Sequence, residues 1–95
     1  MKVVVVATRK EKAKPEEFAP YLDEEANHAL RMYRDEIVRE IYNRTDDKGA
    51  IVVLECDDEE HAKRIVGELP LAKAGLLNFE IYGTKPYRGI VAHVK

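Results

Sequence analysis

The sequence predicts an α+β fold with elements in the order βαββαβ, the ferredoxin-like split motif built on a four-stranded antiparallel sheet. Three observations point to it. Four short segments carry strand patterns and two longer ones carry helical periodicity, in that order. The first and third strand segments, KVVVVATR (2–9) and AIVVLEC (50–56), are almost wholly apolar, as strands buried on both faces are. The second and fourth, VREIYNRT (38–45) and LLNFEIYGT (76–84), alternate instead. The split motif places its first and third strands in the centre of the sheet and the others at its edges, so residue pattern and topology agree.

Each element has a local cause. The valines of 2–9 are β-branched and favour a strand. KEKAKP is a charged connection, and Pro15, Glu16 and Glu17 suit the first turn of a helix that is expected to run to about Asp35. Pro20 falls one turn in and marks either the true start or a kink. DDKG (46–49) is hairpin-turn chemistry. Asp57 with Glu60 is expected to cap a second helix, whose core face is Ala62, Ile65, Val66 and Leu69 and which Pro70 closes. LAKAG (71–75) then turns the chain. In the last strand Leu77, Phe79 and Ile81 should face the helices. Asn78, Glu80 and Tyr82 should face the other way, joined by Glu40, Tyr42 and Arg44. The tail KPYRGIVAHVK (85–95) has no clear period.

Composition bounds the function. Residues 1–95 are the length of one domain, with 45% apolar and 36% charged residues in a globular balance. The net charge is −2 with both signs interspersed, and no basic block argues for nucleic acid. No apolar run is long enough to cross a bilayer, and MKVVVVATRK reads as a strand and not as a signal peptide. The one cysteine, Cys56, gives no internal disulfide and fits a cytoplasmic protein. Central-strand valines reach the sheet face that the helices do not cover. A half-apolar face of that kind favours a second copy packed sheet to sheet, a dimeric α/β barrel, over an open monomer.

One acid is out of place. On a wheel of about 100° per residue, Phe18, Leu22, Ala26, Ala29, Met32 and Tyr33 form a single stripe. Glu25 lies inside that stripe, about 20° from Phe18, whereas Asp23, Glu24, Asn27, Arg31 and Arg34 lie outside it.

From KPEEF to NFEIYG the chain resembles the muconolactone isomerase family. The resemblance rests on the Pro15 helix start, Glu25 ten residues on, Arg31 and Arg34, VREIYNR, ELPL at 68–71 and FEIYG at 79–83. It covers about residues 14–84 and leaves out the tail from Lys85, a region that helps close the pocket in the family. It implies a dimeric α/β barrel that associates further. It also implies a cofactor-free enzyme that shifts a double bond in a small lactone or oxygenated acid, with an acid at position 25.

A double-bond shift beside a carbonyl needs a base to take a proton and an acid to return it. A carboxylate desolvated by Phe18, Leu22 and Ala29 has its pKa raised toward neutrality and can serve as both. The alternative for Glu25 is a snorkelling side chain or a structural ion pair. His28, at i+3, is the second candidate catalytic residue, and Tyr21, at i−4, could hydrogen-bond a substrate oxygen; each could equally be a boundary residue. Arg39 and Arg44 could hold a substrate carboxylate bidentately, or form surface ion pairs. Tyr42 joins them as a substrate-binding candidate, with the dimer interface as its other role. His28, His61 and His93 lie on separate elements without metal-ligand spacing, so neither metal nor cofactor is expected. A cofactor-free isomerase and a non-catalytic dimeric barrel that binds a small ligand both remain open. A pocket around Glu25 favours the first; an arginine capping Glu25 favours the second.

Overall fold

A computed structural model describes residues 1–93. The elements are β1 (Lys2–Arg9), α1 (Pro15–Phe18), a 3₁₀ turn (Ala19–Tyr21), α2 (Leu22–Arg34), β2 (Val38–Asn43), β3 (Gly49–Glu55), α3 (Glu59–Gly67), α4 (Pro70–Lys73), β4 (Leu77–Gly83) and α5 (Arg88–His93). The sheet order is β2-β3-β1-β4 and every neighbouring pair is antiparallel. The two apolar strands are central and the two alternating ones lie at the edges, as the residue patterns require.

The phase of the central strands, hidden in the sequence, is now visible. Val3, Val5 and Ala7 of β1 and Val52 and Leu54 of β3 are buried beneath the helices. Val4, Val6 and Val53 point to the other face and are only partly covered. The core joins Val3, Val5 and Leu54 to Val38, Met32, Ala62, Val66 and Leu69, with Phe79 and Ile81 of β4 packed against them. Burying these aliphatic side chains is worth roughly 1.5–3 kcal/mol each and is the main force holding helices to sheet.

Four local details are decided by the backbone. The first helix is broken at Pro20, because proline lacks the N–H and its ring clashes with the carbonyl four residues back. Phe18 therefore belongs to α1, and Tyr33, expected on the apolar stripe, is exposed. The cap of α3 is Asp58 and not Asp57: its carboxylate accepts from the His61 N–H at 2.8 Å. The spacing between cap and third helical residue fits 58 to 61, while the Asp57 N–H donates to His61 Nδ1 at 3.0 Å. Pro70 does more than close α3. Leu69 before it is extended, at φ −60° and ψ 139°, as residues before proline prefer, and α4 starts on the proline itself. The tail contains a short helix, α5, whose flanking Tyr87 and own Ile90 are exposed.

The hairpin between β2 and β3 is held by the residues expected there. Asp46 accepts from the Lys48 N–H at 3.0 Å, and Asp47 takes the left-handed conformation at φ 59°. Gly49 follows because a Cβ there would collide with the carbonyl oxygen of Ala7 on β1.

The open sheet face has a regular composition. Tyr82, Val4, Val53 and Glu40 pair across it in one row, and Glu80, Val6, Ile51 and Tyr42 in the next. On each edge strand the tyrosine hydroxyl donates to the glutamate two residues earlier, Tyr42 to Glu40 at 2.7 Å and Tyr82 to Glu80 at 2.6 Å. Two acidic and aromatic borders thus flank an aliphatic centre. No helix among the described residues is long and apolar enough to cross a membrane.

Candidate functional site

Between α2 and the sheet lies a cavity of about 590 Å³. Its cause is residue size. Ala26 and Ala29 of α2 face Ala7, Gly49 and Ala50 of the strands, and side chains this small cannot fill the space between the layers. Larger residues, among them Met32, Val66, Leu71 and Phe79, close it around the rest. Leu22 and Ile41 also line it, yet each stays 44% exposed, so it opens between the start of α2 and the edge strand β2.

Glu25 is on the wall of this cavity. It is half-buried, and its Oε1 accepts from the Leu71 N–H of α4 at 2.9 Å. Loss of water around the carboxylate pushes its pKa above the ordinary 4.5, while the Leu71 N–H and the nearby His28 pull it down by less. Among the described residues no cation pairs with it. The reason for an acid on the apolar stripe is thus geometric. It reaches past the alanines into the cavity and ties α2 to the start of α4.

Of the other sequence candidates, Tyr42 alone shares the cavity wall with it. Tyr21 and His28 line a separate shallow groove of about 480 Å³ between α2 and α4, together with Glu24, Glu68 and Lys73. His28 stands one helical turn from Glu25 and is half-buried. Arg39 is exposed at the bulge of β2 and does not line the cavity. Arg44 lies at the other face of the sheet, donating to Thr8 Oγ1 at 2.7 Å and pairing with Asp46 at 2.5 Å. Tyr42 contributes to the cavity wall, although the strand register turns its phenol to the open face. The short bond to the Glu40 carboxylate raises the Tyr42 pKa.

Sequence reasoning missed one cavity residue of consequence. Arg9 ends the inward row Val3, Val5, Ala7 and lines the cavity. Its guanidinium lies over the buried Phe18 ring, 4.7 Å from the centroid. The signal was the two-residue period of β1, which the valines on both faces obscured. Among the described residues no three histidine, cysteine or acidic side chains come together as a metal site.

No protein-family profile matches the sequence, and no curated protein matches it significantly. Solved structures do match in fold. Muconolactone isomerase superimposes with a TM-score of 0.75 at 18% identity, over 93% of this chain and 92% of that one. The 5-chloro-2-hydroxyhydroquinone dehydrochlorinase TftG from Burkholderia phenoliruptrix AC1100, in complex with 2,5-dihydroxybenzoquinone, gives 0.66 at 17% identity, over 94% and 98%. Both are enzymes, and their likeness to this chain spans nearly all of it. The chain therefore has the fold of muconolactone isomerase.

Proposed function

We propose that the protein is a cofactor-free isomerase that shifts a double bond in a small lactone or oxygenated acid by proton transfer. The observation that carries this reading is Glu25, half-buried on the wall of an otherwise largely apolar cavity, with a raised pKa and no paired cation among the described residues. The Leu71 N–H occupies Oε1, which leaves Oε2 for the substrate. Oε2 takes a proton from the carbon beside the carbonyl, and the electron pair delocalises into the carbonyl as a dienolate. The carboxylic acid so formed returns the same proton at the far end of the conjugated system. Atoms and charge balance without a further reactant. A raised pKa suits both halves of the exchange, since the group must hold the proton as readily as it releases it. Where that proton is lost to solvent before its return, His28, in the groove one helical turn from Glu25, is the proposed route by which it is replaced.

The proposed assembly is a dimer formed by the open sheet faces, whose Val4, Val6, Ile51 and Val53 would otherwise meet water. The test of the activity uses a simple β,γ-unsaturated γ-lactone in D₂O, followed by proton NMR. Isomerisation by the wild type and a loss of about 10²–10⁴-fold in Glu25→Gln, with the fold retained, is the expected result. Equal rates in the two proteins would rule the proposal out.

A further inference from the structure

We infer that Arg9 anchors a carboxylate of the ligand that this cavity takes, which makes the substrate class an anionic one. The inference rests on the reading of Glu25 as the proton-transfer group and adds what holds the substrate against it.

Strand phase comes first. Arg9 continues the row of Val3, Val5 and Ala7, so it lies on the helix side of the sheet, where it remains exposed at the end of β1. Next is its support. The guanidinium carbon lies over the buried Phe18 ring, and Arg9 is otherwise exposed, so its N–H groups can meet a planar anion. Its charge is also unclaimed: Arg9 takes part in no ion pair among the described residues, whereas Arg44 is engaged by Asp46. The two sequence-favoured arginines, Arg39 and Arg44, do not line the cavity, and Arg9 does. An ionised Glu25 alone would repel an anion from these walls. Arg9 is the cation among the described lining residues; it offsets part of the repulsion from the acids locally and orients the ligand, its carboxylate at Arg9 and its acidic carbon toward Glu25. Asp47 lines the cavity as well and lies beside Arg9, whose N–H donates to Lys48 O at 2.8 Å. It forms no ion pair with Arg9 among the described residues, but its negative charge on the same wall opposes an incoming carboxylate.

The test is binding, measured apart from turnover on the full chain. Cyclohexanecarboxylate and cyclohexanecarboxamide are titrated separately, and the methyl resonances of Ala26, Ala29 and Ala50 report occupancy of the cavity. Wild type should bind the carboxylate about tenfold or more tightly than the amide, the order expected of a charge-assisted bidentate pair. Arg9→Gln should erase the preference, Arg9→Lys should keep part of it, and Asp47→Asn should strengthen carboxylate binding. Glu25→Gln should retain the preference even though it abolishes proton transfer, so failure of the anchor and failure of the catalytic reading are distinguishable. If Arg9→Gln does not fold, the wild-type preference and its decline with added salt decide the matter. Equal affinity for the two probes, a preference that survives in Arg9→Gln, or binding that leaves the three alanine methyls unmoved would each overturn the inference.

Discussion

At residue 25, burial and hydrogen bonding act in opposite directions on one carboxylate, and burial wins. The consequence for stability has a definite sign. Below about pH 4.5 both folded and unfolded chains carry a protonated Glu25, and it makes no demand on the fold. As pH rises past 4.5 the unfolded chain ionises first, so stability falls until the raised folded pKa is passed. Glu25→Gln removes that loss and keeps an oxygen for the Leu71 N–H. We predict that the variant is as stable as the wild type, or more so, at pH 7, and that urea titrations at pH 4 and pH 7 differ less for it than for the wild type. A variant destabilised at pH 7 would mean that the ionised group is a structural partner. Glu25 was legible in the sequence because a 3.6-residue period exposes a single misfit. Arg9 was not, since β1 is apolar on both faces and gives no phase from which to read its last residue. Nor could the sequence show that Tyr21, in the turn before α2, and His28, on α2 with Glu25, open onto a different surface, because that depends on where α4 docks.

Among the elements, chain reversals decide the details. The periodic pattern of α2 and the alternation of β4 were strong enough to read directly. Capping and breaking residues were ambiguous by one position, as with Asp57 and Asp58, because neighbouring acids offer equivalent chemistry and only backbone geometry selects one. Asp58→Ala should cost about 1 kcal/mol, the usual worth of a helix cap, and Asp57→Ala much less; thermal or urea melts will compare them. The end of α2 holds a different opportunity. Glu36 is left-handed at φ 64°, closing the helix while the Ile37 N–H reaches Met32 O at 2.9 Å. A side chain in that conformation carries roughly 1–2 kcal/mol of strain. Glu36→Gly should therefore raise the urea midpoint by an amount worth about 0.5–1 kcal/mol, after allowing for the greater freedom of glycine in the unfolded chain. An unchanged or lowered midpoint would contradict this.

For the molecule as a whole, the sheet divides two problems. Its helix side is a packed core interrupted by a cavity, and its open side is an aliphatic strip between Tyr42–Glu40 and Tyr82–Glu80 borders. The fold and strand order were legible because central and edge strands demand different patterns. The cavity was not, because it arises from small residues on separate elements meeting across the layers. If the open face is a dimer interface, Val53→Asp places a charge at its centre and should convert a sedimenting dimer to monomer, with far-UV circular dichroism preserved because Val53 lies outside the core cluster. A wild type that sediments as a monomer at micromolar concentration would remove the interface. By contrast, α5 makes no extensive contact with the other elements among the described residues. Truncation after Thr84, which keeps the Thr84 hydroxyl bond to Lys2 O at 2.5 Å, should leave the thermal midpoint almost unchanged.

Everything proposed about chemistry depends on the state of one carboxyl group. The most direct test is a carbon-detected NMR titration of the Glu25 side chain in the wild-type protein. The predicted result is a pKa above 4.5, with the Ala26 and Ala29 methyl signals moving through the same transition because they share the cavity wall with it. A pKa at or below that value would show a carboxylate already satisfied by the fold, and Glu25 could not then serve as the proton-transfer group.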